Sequence, residues 1–236
     1  MRRETQNILL VLLGGALLKL ALTGTYLRYV KESLRPWLVV TGAVMVVLAL
    51  IAIAQDIRGA RAEAHDHGHD HGSSRSPWML LLPVLAVFLI SPPALGADSV
   101  NRVDVNAAQR SQVSGGFAPL PSDEVVPLTI GEFVTRTAWD DSGSLDDRVV
   151  RLTGFVVRQD ADVFIARLTI GCCAADARPV KARMVGLDLA ALPDDQWVEA
   201  TGRVVPGSAS PASKYVPTFT VSEVLPISPP EDTYEG

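Results

Sequence analysis

Two stretches of this sequence hold side chains whose types and spacing could do chemistry. All 4 histidines fall in the run Ala64-His65-Asp66-His67-Gly68-His69-Asp70-His71-Gly72. Neutral imidazole is the commonest nitrogen ligand for zinc and similar borderline ions. Asp66 and Asp70 add oxygen, and the glycines let a loop fold around an ion. A tract of this kind reads as metal binding, with Zn2+ or another divalent metal as the cargo. It has no fixed tetrahedral frame, so an exchangeable, low-affinity collector is expected, and the competing reading is a solvated linker whose histidines are incidental. Imidazole must be unprotonated to ligate, so capture should weaken as pH falls through about 6.5.

The second stretch is Gly171-Cys172-Cys173-Ala174-Ala175-Asp176-Ala177, which contains both cysteines of the chain. Three readings compete. Cys172, Cys173 and Asp176 could ligate zinc or another thiophilic ion, completed by a partner or by the histidine tract. The two thiols could instead form a vicinal disulfide in a strained eight-membered ring. The third reading packs one cysteine as a small hydrophobe, leaves its neighbour half-exposed and makes Asp176 a turn cap. Nucleophilic catalysis is not expected, because no histidine follows residue 71 to serve either thiol as a base. Without a triad or a phosphate-cradling glycine loop, the chain reads as a non-enzyme.

These residues must be carried by two unlike regions. Before residue 97 the apolar residues come in three runs, and afterwards they alternate with polar ones. Residues 37 to 54 hold no charge and at about 1.5 Å per residue nearly cross a hydrocarbon core roughly 30 Å thick. Arg35, Trp37, Asp56 and Arg58 flank that run as interfacial anchors. A second run, residues 7 to 27, surrounds the single charge Lys19. Lys19 is either a functional intramembrane charge or a side chain snorkelling to an interface. The third run, residues 78 to 95, carries Pro83 and ends at Pro92-Pro93. About three transmembrane helices are therefore expected in an α-helical membrane domain, residues 1–97, with its histidine-rich loop at 64–72. Flanking Arg and Lys residues balance on the two sides and do not orient it. The export-signal character of residues 75 to 97 favours an extracytoplasmic C-terminal domain on a multi-pass plasma-membrane protein.

Residues 98–125 read as a polar linker. Residues 126–236 read as a soluble all-β domain. In it, Ile130, Phe133 and Val134 fall at helical spacing behind Thr129, followed by strands at 148–158, 163–170, 180–185, 197–205 and 218–225. Gly154 and Gly202 lie inside strands, where a missing side chain permits a bulge or tight coil. Five strands with a short helix predict an OB-like small barrel, with an incomplete sandwich as the alternative. A net charge of -5 and the lack of a basic groove with stacking aromatics argue against nucleic acid as a partner.

Gly154-Phe155-Val156, Cys172 to Asp176, and Asp195-Gln196-Trp197-Val198, behind N-terminal spans and a His-Asp loop, give a chain that resembles a bacterial two-component permease-subunit family of membrane proteins. The resemblance covers nearly the whole chain. It implies pairing with a separate, larger integral membrane permease, an association with zinc homeostasis, and no catalytic residues to carry over. The function expected is an accessory subunit of a membrane permease complex that handles a divalent metal, in contact with the lipid bilayer. Two alternatives stand beside it: a membrane-tethered thiol redox protein using Cys172 and Cys173, and a membrane-anchored OB-like module for ligand binding or scaffolding.

Overall fold

A computed structural model describes residues 3–62, 89, 93–103 and 116–235. It divides into two compact units, Met1–Pro93 and Ala94–Gly236.

The first unit is a helical hairpin of α1 (Arg3–Leu22) and α2 (Arg35–Ala62). The two helices meet where neither has a side chain. A Cβ on Gly14 would lie 2.9 Å from the Gly42 carbonyl oxygen, and one on Gly42 would lie 3.0 Å from that of Gly14. Small residues let backbones approach closely, which is how helices associate when no hydrophobic effect drives them together. Asn7 Nδ2 donates to Asp56 Oδ2 at 3.1 Å and ties the open end. Trp37, Val40, Val44, Val47, Leu48 and Ile51 face outward, Trp37 being 68% exposed.

The expected count of about three transmembrane helices is corrected. Among the described residues one helix, Glu32–Arg58, is long and apolar enough to cross a membrane, and Gln6–Leu22 is a shorter apolar helix. The physical reason lies in length: the shorter segment spans about 26 Å at 1.5 Å per residue, less than a hydrocarbon core of roughly 30 Å. The histidine tract and most of the third apolar run lie outside the described residues.

The second unit contains α3 (Ala97–Asn101), β1 (Val125–Leu128), α4 (Ile130–Trp139), β2 (Val149–Gln159), β3 (Asp162–Thr169), β4 (Arg178–Val185), β5 (Trp197–Val204), β6 (Thr218–Pro226) and β7 (Tyr234–Glu235). The strands form one sheet in the order β1-β2-β5-β6-β4-β3-β7, with β2 also paired to β3. Pairing is mixed: β1–β2, β4–β6 and β3–β7 are parallel, and the remaining ladders are antiparallel. The all-β OB-like barrel of five strands expected from sequence is thereby corrected to a seven-stranded mixed sheet with two helices, in which the five expected strands are β2 to β6 and the β2–β3 pairing closes them into a ring. The two extra strands, four and two residues long, are too short to show alternation.

Residues 154 to 157 of β2 are all buried because the sheet is covered on both faces. Val150, Leu152 and Val156 join Ile130, Phe133, Ile165, Val198 and Phe219 in one core. Phe155 and Val157 join Phe164, Leu168, Trp197, Ala97 and Val100 in a second. The stretch read as a polar linker thus begins inside α3, which is docked on the sheet. Thr129 caps α4 by accepting the Glu132 N–H at 3.0 Å. In β5 the register shifts between Thr201 and Gly202, where any Cβ on Gly202 would collide with the Thr220 carbonyl.

Candidate functional site

The cysteine pair sits in the connection from β3 to β4. Buried Ile170 follows the last residue of β3 and belongs to the second core, against which Ala174 and Ala177 also pack. Between them the chain makes a 3-10 turn at Ala174–Asp176, closed by the Asp176 N–H donating to the Cys173 carbonyl at 3.0 Å. Asp176 then folds its carboxylate back over the turn. Oδ1 accepts the Gly171 N–H at 3.0 Å and Oδ2 accepts the Cys172 N–H at 2.9 Å. Both oxygens are engaged before any ligand arrives. These N–H donors, Cys172 first and Gly171 next, hold the Asp176 carboxyl below its ordinary range.

Cys172 is exposed and Cys173 half-buried, both thiols are free, and their sulfurs stand 3.6 Å apart. The neighbouring Cys173 sulfur and then the Asp176 carboxylate push the Cys172 thiol up to about 11. At neutral pH Cys172 is therefore protonated. Thiol exchange and metal ligation both need the thiolate, so at neutral pH either one must first displace this proton.

The root of this turn is held by the C-terminal tail. Ile170 N–H donates to the Glu235 carbonyl at 3.2 Å. The Glu235 side chain reaches α4, with Oε1 accepting the Ile130 N–H and Oε2 the Gly131 N–H, each at 2.8 Å. Burial raises the Glu235 carboxyl in spite of those donors and of Arg167 nearby. Arg167 is only 8% exposed. Its Nη2 donates to the carbonyls of Asp232 and Tyr234, at 3.0 and 2.9 Å. Its guanidinium lies 4.9 Å from the centre of the Trp197 ring. The Tyr234 hydroxyl accepts the Leu95 N–H at 3.2 Å, joining the tail to the first residues of the unit.

Of the residues singled out by sequence, the structure brings Cys172, Cys173 and Asp176 together and makes Asp176 the organiser of the turn. Lys19 stands exposed in the last turn of α1, where a cation complements the helix dipole. His65, Asp66, His67, His69, Asp70 and His71 lie outside the described residues. Among the described residues no group of three or more His, Cys, Asp or Glu side chains is placed to hold a metal ion. Arg167 and Glu235 were not singled out by sequence. An arginine in the mostly apolar run VFIARLTI was the available signal for the first, whereas Glu235 gave none.

Hairpin and sheet define a two-unit protein, one unit apolar enough to meet a membrane and the other presenting an exposed pair of adjacent thiols. The chain carries both domains of the DUF1980 family, the DUF1980 N-terminal domain at residues 5–106 and the DUF1980 C-terminal domain at residues 136–235. No curated protein and no solved structure is significantly similar to it.

Proposed function

We propose that this chain is a non-enzymatic accessory subunit of a bacterial membrane permease complex that handles a divalent metal, zinc being the first candidate. The observation that carries this reading is the thiol pair: two free sulfurs 3.6 Å apart on a turn already organised without them. The histidine tract supports it from the sequence, offering four imidazoles and two carboxylates as a collector. The hairpin supports the membrane part. Its outward face is a continuous apolar surface from Trp37 to Ile51, suited to lipid or to the helices of a larger subunit. Among the described residues one long apolar helix has a shorter companion, too little for a complete carrier, which builds its path from paired repeats around a midplane site, so a larger permease partner is part of the proposal.

The deciding experiment is purification from native membranes in mild detergent. A larger integral membrane protein should accompany the chain at fixed stoichiometry. Recovery of the chain alone would overturn the proposal.

A further inference from the structure

The geometry points to the Cys172–Cys173 pair as a bidentate half-site for one tetrahedral divalent ion of the zinc class, with Asp176 as a positioning residue and not a ligand. This inference rests on the metal-handling reading above and gives that reading a specific ligand set. With metal–sulfur bonds of about 2.3 Å, the edge between two thiolates of a tetrahedral site is about 3.8 Å, close to the 3.6 Å found. The found separation corresponds to an angle at the metal of about 103°, near the tetrahedral value. A two-coordinate linear ion with the same bond lengths would need the sulfurs about 4.6 Å apart, which the pair misses by an ångström.

Asp176 is the obvious third ligand by sequence, but each of its oxygens already accepts a backbone N–H, Oδ1 from Gly171 and Oδ2 from Cys172. Swinging the carboxylate onto a metal would give up these two bonds, which brace the turn that presents the thiols. Its role is to fix the backbone from which both sulfurs project, as outer-shell groups do elsewhere. Two thiolates leave half of the coordination sphere open. A structural zinc site is closed by four protein ligands, whereas a half-filled sphere suits an ion that arrives with, or leaves to, ligands on another molecule. On binding, two metal–sulfur bonds form and the two thiol protons pass to solvent, with no redox change.

The test uses the full chain in detergent with His65, His67, His69 and His71 all changed to Ala, so that the histidine tract contributes nothing. Cd2+ serves as the probe because its thiolate complexes absorb in the ultraviolet. One ion per chain should bind with the absorbance of two thiolates. Cys172→Ser and Cys173→Ser should each halve that absorbance per ion or abolish binding. Asp176→Asn should weaken binding roughly tenfold and leave the absorbance per bound ion unchanged. Cd2+ binding without thiolate absorbance, or equal thiolate absorbance in the serine variants, overturns the site. Unchanged affinity in Asp176→Asn, with its melting curve intact, overturns the positioning role. If the site fails while the larger membrane protein still accompanies the chain, the subunit part of the reading stands and its metal handling is left to the histidine tract alone.

Discussion

Glu235 caps Ile130 from 105 residues away, its Oε1 accepting the backbone N–H that opens α4 at 2.8 Å. The same carboxylate takes Gly131 N–H, and its own carbonyl takes Ile170 N–H. One residue thereby fixes both the start of the only long helix described in this unit and the root of the thiol turn. Glu235→Ala should cost about 1–2 kcal/mol, the usual loss for a helix cap, because two buried N–H groups lose their acceptor. Thermal unfolding of the full chain in detergent checks it.

The same contact carries a pH signature. Burial raises the Glu235 carboxyl above its ordinary 4.5, so the folded state favours the protonated form. An acid with a raised folded pKa contributes stability that is fully present below the unfolded value and is lost as pH rises through the folded one. Relative to Glu235→Gln, the wild-type chain should therefore lose ground as pH climbs from about 4.5 towards neutrality. Paired unfolding curves at a series of pH values test this, and a wild-type advantage over Glu235→Gln that grows with pH would contradict the buried-carboxyl account.

The hairpin crossing predicts a contrast between neighbours. Gly14 faces the Gly42 carbonyl and Val46, whereas a Cβ on Gly15 would meet nothing within 4 Å. Gly14→Leu should force the helices apart at a cost of about 1–3 kcal/mol, and Gly15→Ala should be neutral or slightly stabilising. Cross-linking between engineered cysteines on α1 and α2, in a chain with Cys172 and Cys173 replaced by Ser, reads the separation. Equal cross-linking in both variants would remove the crossing.

What could be read from sequence followed the length of the element. β2 to β6 each run for eight residues or more, enough for alternation and β-branched content to declare them. Helix α4 was legible from Thr129 and the spacing of Ile130, Phe133 and Val134. β1 was not, since Val-Val-Pro-Leu has no period, and Pro127 is tolerated because β1 lies at the edge of the sheet. β7 was invisible for the same reason of length, and with it went the contacts of Arg167 and Glu235. In the thiol turn the residue types were legible and the role of Asp176 was not. A carboxylate three residues from a cysteine suits ligation and turn-capping alike, and only its hydrogen bonds decide.

Gly154 shows why one strand position admits no side chain. A Cβ there would stand 2.6 Å from the Ala166 carbonyl oxygen on β3 and 2.7 Å from Ile130 Cδ1 on α4. The first neighbour is backbone in the β2–β3 ladder and cannot yield without breaking the pairing of Phe155 with Ala166. Gly154→Ala should therefore destabilise the unit by about 1–3 kcal/mol even though alanine is otherwise the better strand residue. A melting temperature equal to wild type would show that the ladder gives way more easily than its geometry implies.

Arg167 tests whether the tail is held by charge or by packing. Its guanidinium donates to two tail carbonyls and lies over Trp197, while its Nε is buried with no partner. Burial lowers its pKa, and the carboxylates of Glu235 and Asp232 offset part of that. Arg167→Met keeps the stem against Trp197, removes the buried cation and leaves the carbonyls of Asp232 and Tyr234 without these donors. If the hydrogen bonds hold the tail, the variant should lose about 2 kcal/mol and expose the C-terminus to carboxypeptidase. Arg167→Lys should not rescue it, since one ammonium on a flexible stem does not reproduce a planar guanidinium bridging two acceptors. A tail that resists digestion in Arg167→Met would assign its retention to β7 pairing and the Glu235 cap alone.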